Sequence, residues 1–187
     1  IMERLLHFYF LLTGLLLVSN AASAQTWEDA PIEFADAKVK ETCVNLWDTN
    51  EDGELSLYEA AAVQEIPYYM FWNRTDITSF DELQYFVGLE RIPDLTFQNC
   101  TSLTSVIIPN SVKTIASYSF KNCTSLTSIV IPNSVEYIGN LAFQNCSSLT
   151  SIELPNSLRE LYNSPFSGCR SLTSLVIPKS VTQINTD

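Results

Sequence analysis

Residues 120–142 read FKNCTSLTSIVIPNSVEYIGNLA, and this 23-residue pattern recurs through the second half of the chain. The four copies run from Phe97 to Ser119, from Phe120 to Ala142, from Phe143 to Pro165, and from Phe166 to Asp187, where the last copy is one residue short. Each copy carries a phenylalanine, a cysteine and an apolar L-x-x-[VIL]-x-[IL] segment at the same places. A fixed period of this length indicates that one small structural unit is stacked repeatedly.

The apolar positions of one copy predict two short extended segments. Leu126, Ile129 and Ile131 have the spacing of a short strand with one buried face. Pro132 ends this strand because proline cannot donate to a continuing ladder, and residues 134–138 form the second extended run. Stacking such coils about 4.8 Å apart buries their apolar sides and pairs the strands in parallel. The pattern therefore predicts a leucine-rich-repeat solenoid of 23-residue coils with a parallel sheet.

The segment before the first full copy predicts a capping coil at residues 77–96. A shift of 23 residues places Phe80, Leu83 and Tyr85 under Leu103, Val106 and Ile108, and Leu89 and Ile92 under Val112 and Ile115. Asp81 and Glu82 replace the small polar residues of later coils, and outward charges discourage edge-to-edge strand pairing. Because the fourth copy stops mid-coil, we expect the natural chain to continue beyond residue 187.

Residues 1–24 have the features of a signal peptide. Arg4 precedes an apolar run from Leu5 to Val18, and Ala22-Ser23-Ala24 offers the small residues of a cleavage site. The apolar run is too short for a helix that spans a bilayer core of roughly 30 Å. We therefore expect export, cleavage after Ala24, and a mature chain (residues 25–187) that is secreted or held at the cell surface without a transmembrane span.

The net charge of −11 is concentrated in the first half of the chain. Residues 28–94 hold 16 acidic and four basic residues, whereas residues 95–187 hold four acidic and five basic residues. No basic face is available for a nucleic acid. The only histidine, His7, lies in the signal peptide, so the mature chain lacks the residue needed for Ser-His-Asp or Cys-His catalysis and for histidine-ligated zinc. We predict that the protein is not an enzyme.

Residues 48–59 read DTNEDGELSLYE and match the calcium-loop pattern D-x-[DN]-x-[DN]-G-x5-E. Calcium takes six to eight oxygen ligands, and alternating loop positions aim their oxygens inward. Gly53 permits the sharp turn. The predicted metal ligands are Asp48, Asn50, Asp52, the backbone carbonyl of Glu54, Ser56 and Glu59.

Helices are predicted on both sides of this loop. The first carries an apolar face at Val39, Cys43, Leu46 and Trp47. The second is expected from Leu57 to Ile66, before Pro67. The alternative interpretation of residues 56–59 is a capping box without a metal. Since the chain shows one such loop and no second, we expect a single weak calcium site, with a dissociation constant on the order of 10⁻⁴ to 10⁻³ M. Its role would be structural, docking the helical pair onto the first coil.

One cysteine occupies the same place in every copy. These residues are Cys100, Cys123, Cys146 and Cys169, and Cys43 lies apart in the first predicted helix. Equivalent residues of neighbouring coils approach within disulfide range at Cα, but their Cβ atoms point the same way, which disfavours a bridge. We predict a buried column of free thiols. Asn99, Asn122 and Asn145 repeat in the same way and are predicted to form a ladder that hydrogen-bonds the backbone at the bend, rather than to carry glycans.

The first strand of each coil also has an outward side, which we predict as a binding face. Its residues are Thr104, Ser105, Ile107, Thr127, Ser128, Val130, Thr150, Ser151, Glu153, Thr173, Ser174 and Val176. Hydroxyl groups without a neighbouring base or carboxylate pair do not make a catalytic site. The alternative is that these residues only suit an exposed strand, because Thr and Val favour strands.

The coil S-L-T-S-[IV]-x-[IL]-P-x-S-V-x-x-I resembles the BspA-like leucine-rich repeats of exported surface proteins, and the stretch from Ala35 to Cys100 resembles the N-terminal EF-hand-like module that precedes such repeats. The resemblance implies an α+β fold, in which a helical EF-hand-like pair caps the solenoid. It also implies adhesion to host or bacterial surfaces, and it carries the metal positions onto the six ligands named above. It supplies no catalytic residues.

The sequence thus predicts a signal peptide (1–24), a helical EF-hand-like module (25–76) and a solenoid (77–187), of which 77–96 form the capping coil and 97–187 the four repeats. The leading functional interpretation is a monomeric, calcium-stabilised binding or adhesion scaffold for a host or bacterial surface protein or glycan. One alternative is the N-terminal recognition arm of a larger exported enzyme, such as one acting on polysaccharides. Another is a dockerin-like attachment module, although dockerins carry two such loops.

Overall fold

Residues 29–185 are described here from a computed structural model. The signal peptide predicted for residues 1–24 lies outside them. The helices are α1 (Ala37–Trp47), α2 (Leu57–Ala62) and a 3-10 helix, η1 (Asp81–Tyr85). The strands are β1 (Ser79–Phe80), β2 (Arg91–Ile92), β3 (Ser105–Val106), β4 (Thr114–Ile115), β5 (Ser128–Val130), β6 (Tyr137–Ile138), β7 (Ser151–Glu153), β8 (Glu160–Tyr162) and β9 (Gln183–Asn185). Within the described residues no helix is long and apolar enough to cross a membrane.

The strands form a parallel solenoid of about five turns, which confirms the predicted coil architecture. The continuous sheet has five strands in the order β2-β4-β6-β8-β9, and it is built from the second extended run of each coil. The L-x-x-[VIL]-x-[IL] segments instead pair only as two short sheets, β1-β3 and β5-β7. The widest regular surface therefore lies on a different side of the coil from the predicted binding face.

The predicted register of the first coil was wrong in its first half. Phe80 pairs with Val106, a shift of 26 residues, whereas Ile92 pairs with Ile115 at the expected shift of 23. The three additional residues of this coil are taken up between β1 and β2, where η1 replaces the turn of later coils. Consequently Phe80 does not lie under Leu103, as the uniform 23-residue shift had predicted.

A column of phenylalanine rings runs through the core of the stack. Phe71, Phe97, Phe120, Phe143 and Phe166 stack in succession, with ring centroids 5.5, 5.0, 5.1 and 5.6 Å apart and interplanar angles of 16° or less. The first four rings are fully buried. The column thus begins at Phe71, ahead of residue 77, which is the predicted start of the solenoid.

A ladder of asparagine side chains holds one bend of the coils. The side-chain amides of Asn99, Asn122 and Asn145 each donate to the side-chain oxygen of the asparagine one coil earlier, beginning at Asn73. All four have φ between 59° and 63°, a left-handed conformation that asparagine tolerates better than most residues. In the fourth copy Gly168 takes this place at φ 77°. The repeated asparagines therefore form the predicted structural ladder, but they bond each other's side chains and not the backbone as predicted.

The helical pair is present but shorter than expected. Helix α2 ends at Ala62 rather than at Ile66, and Val63 already has an extended backbone. An extended conformation suits the end of this segment because Ile66 precedes Pro67. The proline ring clashes with the preceding residue when that residue is helical. Buried side chains from the helices and from the coils form one continuous hydrophobic core. The helices therefore pack against the coils through a shared core.

Candidate functional site

The loop between α1 and α2 folds around its own side chains. Asp48 accepts a hydrogen bond from the backbone N–H of Gly53 at 2.8 Å, and Gly53 adopts φ 85°. The side-chain oxygen of Asn50 accepts from the N–H of Asp52 at 3.1 Å, and Asp52 accepts from the N–H of Glu54 at 2.9 Å. Carboxylate and amide oxygens at loop positions 1, 3 and 5 thus gather against the turn that Gly53 permits.

Glu59, the last residue of the loop, is buried and ties the two ends of the loop together. Its Oε2 accepts from the N–H and the hydroxyl of Ser56 at 2.9 and 2.8 Å, which completes the capping box of α2. Its Oε1 accepts from the N–H and the hydroxyl of Thr49 at 2.7 and 2.8 Å. Burial opposes ionisation, but these hydrogen bonds from Ser56 and Thr49 outweigh it and lower the Glu59 pKa to about 2.

The candidate ligand atoms of this loop are all oxygens, the type of ligand that a hard cation prefers. Three carboxylates, an amide oxygen, a hydroxyl and a backbone carbonyl are the oxygen ligands that calcium takes. Both carboxylate oxygens of Glu59 are already engaged by Ser56 and Thr49, and among residues 29–185 no group of three or more His, Cys, Asp or Glu side chains converges as a metal centre. The six predicted ligands therefore lie on one loop, and their role as metal ligands stays a prediction.

The residues just before α1 supply the loop with a backbone partner that sequence reasoning missed. Ile32 donates to the carbonyl of Leu55 at 2.8 Å, and Leu57 donates to the carbonyl of Ala30 at 3.1 Å. Pro31 and Ser56 form the antiparallel bridge between these bonds. The loop is thus paired with the extended segment at residues 30–32 of the same chain. Alternating apolar residues around Ile32 could have signalled this short extended segment.

Two carboxylates join the helical pair to the first coil. Asp36 caps α1 through bonds from the N–H groups of Lys38 and Val39, and its other oxygen accepts from the N–H and the hydroxyl of Thr78 at 2.7 and 2.9 Å. Burial raises the Asp36 pKa, but these hydrogen bonds prevail and the pKa lies below its usual value. Glu82 accepts from the N–H of Ala35 at 2.8 Å. The junction therefore depends on the ionised carboxylate of Asp36 and on the hydrogen bond that Glu82 accepts.

Close packing completes this junction. The ring of Trp47 meets that of Phe86 edge-on at 5.2 Å. Gly88 lies against the chain that leaves α2, where an added Cβ would stand 2.6 Å from the carbonyl oxygen of Val63 and 2.8 Å from that of Ala61. A side chain at this place would collide with backbone atoms, so glycine is what allows the helical pair to approach the coil.

We expect Gly88→Ala to destabilise the protein by about 1–3 kcal/mol, because the added methyl group overpacks a contact with backbone oxygens. The measurement is the urea midpoint of the variant against wild type. Gly53→Ala is the comparison, since its Cβ would meet no atom within 4 Å and its cost comes from φ alone. A Gly88→Ala midpoint equal to wild type would show that this approach is not tight.

The predicted binding face is exposed, but several of its hydroxyl groups serve the stack. Thr104 and Thr150 donate to backbone carbonyls of the preceding coil at 2.8 and 3.2 Å. Ser105 donates to a carboxylate oxygen of Asp81 at 3.1 Å. Val130 and Val176 are each 79% exposed. The structure therefore places nine of the twelve predicted residues on or beside β3, β5 and β7, and the other three, Thr173, Ser174 and Val176, on an exposed segment that forms no strand. Their binding role stays a prediction.

The five-stranded sheet presents a second surface, which the sequence analysis did not single out. Beside its buried positions it carries the ion pairs Lys113–Glu90 at 2.6 Å and Arg159–Glu136 at 3.5 Å. The ring of Tyr137 on β6 lies 4.9 Å from the ring of Tyr162 on β8, the neighbouring strand of the sheet. Charged and aromatic groups thus stand side by side here.

A shallow cleft of about 420 Å³ lies between α1 and the segment that follows Pro67. Its lining includes one carboxylate, Glu41, and one guanidinium, Arg74. Arg74 is already paired with Asp76 at 2.9 Å. The cleft offers hydrogen-bonding and apolar contacts, but these side chains do not form a paired general acid and base.

The cysteines of the coils are buried free thiols that donate hydrogen bonds. The sulfurs of Cys123, Cys146 and Cys169 each lie 3.1 Å from the backbone carbonyl oxygen of the core phenylalanine in the preceding coil, and that of Cys100 lies 3.0 Å from the carbonyl oxygen of Phe71. Burial raises the pKa of Cys100 to about 12. Such thiols are poor nucleophiles because the thiolate is disfavoured.

We expect all five cysteines of the chain to react with a thiol reagent in denaturant without reductant, and to react far more slowly in the native state at pH 8. The physical reason is that burial blocks the reagent and disfavours the thiolate. A count of one free thiol or fewer in denaturant would contradict the free-thiol column. The same count after reduction controls for incomplete reaction.

The geometry defines the protein as a parallel solenoid preceded by a short helical pair. A model of the BspA type leucine rich repeat region matches residues 64–187, in six copies. The match covers well over half of the chain, so the protein belongs to the BspA-type leucine-rich-repeat family. It begins after α2 and therefore lends no support to an EF-hand-like module.

Solved structures of leucine-rich-repeat proteins are also similar to this chain. One from Bacteroides ovatus is 29% identical, with 72% of this chain and 38% of that chain covered and a TM-score of 0.48. One from T. pallidum is 27% identical, with 59% and 61% covered and a TM-score of 0.39. A leucine rich cell surface protein from Faecalibacterium prausnitzii is 20% identical, with 73% and 62% covered and a TM-score of 0.37. The chain spans less than two thirds of each of these proteins. No curated protein matches it significantly.

Proposed function

We propose that this protein is an exported cell-surface scaffold that binds proteins or glycans through the side chains its coils display. The observation that carries the proposal is the repeat stack itself, which belongs to the BspA-type family and presents an outward side chain at the same place on coil after coil. Repeat solenoids create extended surfaces of this kind for binding. The mature chain acts as a binding protein and not as an enzyme, in keeping with its lack of histidine.

The N-terminal loop serves this scaffold as a structural calcium site. Support comes from the oxygen donors of residues 48–59, from the backbone pairing at Ile32 and from the single core that the helices share with the coils. Calcium stabilises the loop that joins α1 to α2, and through Asp36 this stabilisation reaches the first coil. An exposed apolar end is a liability for any solenoid, and a firmly docked cap removes it.

The test uses the mature chain, residues 25–187, fluorescently labelled and applied to arrays of purified extracellular proteins and of glycans, in calcium and in chelator. Saturable binding to at least one arrayed molecule, weakened in chelator, is the expected result. A labelled chain unfolded by heat provides the control for non-specific adhesion. If the native chain binds no arrayed molecule above this control, the proposed scaffold function is wrong.

A further inference from the structure

The coils differ from one another most on one side. On the first strand only the third outward position varies, as Ile107, Val130, Glu153 and Val176. The outward threonine and serine of the first strand are the same in every coil, from Thr78-Ser79 to Thr173-Ser174. The outward positions of the five-stranded sheet change at each step. One column reads Glu90, Lys113, Glu136, Arg159, and the next reads Arg91, Thr114, Tyr137, Glu160, Gln183. A surface that only keeps the stack regular has no need for a different side chain on every coil, whereas a surface shaped for one partner does.

The tyrosines of the coils also gather on this side. Residues 97–185 contain three tyrosines, Tyr118, Tyr137 and Tyr162, and each lies on a strand of the five-stranded sheet or in the turn just after one. The amide of Asn140 donates to the hydroxyl of Tyr118 at 3.1 Å, and Lys121 lies over the Tyr118 ring at 5.3 Å. These contacts hold the ring in place before any partner arrives, which lowers the entropy cost of binding.

The composition of this side indicates the kind of partner. Tyrosine supplies large rigid contacts, and asparagine, serine and glycine supply adaptable ones, which is how antibody paratopes recognise folded proteins. Here Ser117-Tyr118 follows β4, Asn140 follows β6, and Tyr162 ends β8 before Asn163-Ser164; all of these residues are half-buried or exposed. The alternating column of acids and bases has no excess charge, so it selects neither a polyanion nor a polycation. A second copy of a chain with net charge −11 is disfavoured by repulsion.

We infer that the outward side of the five-stranded sheet is the recognition surface, and that it binds a folded protein of mixed surface charge. We call this surface the tyrosine face and define it by Lys113, Tyr118, Tyr137, Asn140, Arg159 and Tyr162. The inference rests on the proposed scaffold function. It assigns the contact with the partner protein to this face instead of to the threonine-serine strands. Tyrosine and arginine are the residues that most often carry interface binding energy.

The test takes an extracellular protein bound by the wild-type chain on the array and measures its dissociation constant against variants by surface plasmon resonance. The first variant combines Tyr118→Ala, Tyr137→Ala and Tyr162→Ala, and the second combines the exposed changes Lys113→Glu and Arg159→Glu, which leave the core untouched. The matched control combines Thr127→Ala with Val130→Ser on the threonine-serine strand. Melting curves confirm that each variant is folded.

The expected result is a dissociation constant raised at least tenfold in the tyrosine variant and at least threefold in the charge variant, with the control within twofold of wild type. Binding that is unchanged in both face variants, or lost in the control alone, overturns the inference and leaves the scaffold function standing. Wild-type binding to glycans only, or to itself only, overturns the assigned partner class. A wild-type chain that binds nothing overturns the scaffold function, and this inference with it.

Discussion

Replacing Phe120 by alanine is expected to destabilise the protein by about 3–5 kcal/mol, the usual cost of removing a buried phenylalanine. Phe120 is fully buried and stacks on Phe97 at 5.0 Å and on Phe143 at 5.1 Å. The change leaves a cavity in the middle of the column, and each coil is stabilised mainly by its neighbours. The lost contacts therefore weaken the interfaces on both sides.

The measurement is thermal unfolding followed by circular dichroism, with an expected loss of roughly 10 °C for a chain of this size. Phe166→Ala is the matched control, because Phe166 is only partly buried and its stacking contact is the longer 5.6 Å step from Phe143. We expect a smaller loss for Phe166→Ala. Equal melting temperatures for wild type and Phe120→Ala would show that the phenylalanine column does not stabilise the stack.

Acidification from pH 5 to pH 2 is expected to remove stability on the order of 3 kcal/mol through Glu59 alone. The Glu59 pKa is lowered from 4.5 to about 2 in the folded protein, where burial is outweighed by hydrogen bonds from Ser56 and Thr49. A carboxyl whose pKa is lowered by folding stabilises the protein fully above its unfolded value. That contribution is lost as the pH falls from about 4.5 through 2. Asp36, whose pKa is also lowered, adds a loss of the same sign.

The measurement is the urea midpoint as a function of pH for wild type and Glu59→Gln. Glutamine keeps the shape of the side chain but does not titrate, so the variant should be less stable at pH 7 and should lose less stability on acidification. Because Glu59 and Asp36 both serve the helical pair, helix signals should fall before sheet signals. A variant whose midpoint falls with pH as steeply as that of wild type would contradict the role given to Glu59.

The sequence predicts the stacked coils well because each coil repeats the same burial pattern. Residues buried at one period, such as Phe120 and Cys123, are buried again one coil later. The first coil escaped a uniform shift of 23 because three additional residues follow β1. Its start was nevertheless visible, since residues 71–80 read FWNRTDITSF beside FQNCTSLTSV at residues 97–106. The register of a coil is set by how its strands pair with those of the next coil. The repeat period of the other coils does not determine that pairing.

The candidate site was predicted in part. The loop pattern places Asp48, Asn50 and Asp52 on one turn because the bonds that hold them are local. It does not disclose the bridge at Ile32 or the clamp from Asp36 to Thr78, because those contacts join residues far apart in sequence. The tyrosine face was missed for a related reason. The repeated residues of the first strand attracted attention by their regularity, whereas the proposed recognition surface lies where the coils differ more.

The most direct test of a calcium-stabilised scaffold is a calorimetric calcium titration of residues 25–187, with melting curves recorded in calcium and in chelator. We expect saturable binding with a dissociation constant on the order of 10⁻⁴ to 10⁻³ M, a higher melting temperature in calcium, and the loss of both effects in a variant combining Asp48→Ala with Glu59→Ala. Magnesium in place of calcium controls for non-specific charge screening. No binding heat and no shift in melting temperature would contradict the calcium site and leave residues 48–59 as a capped helix start.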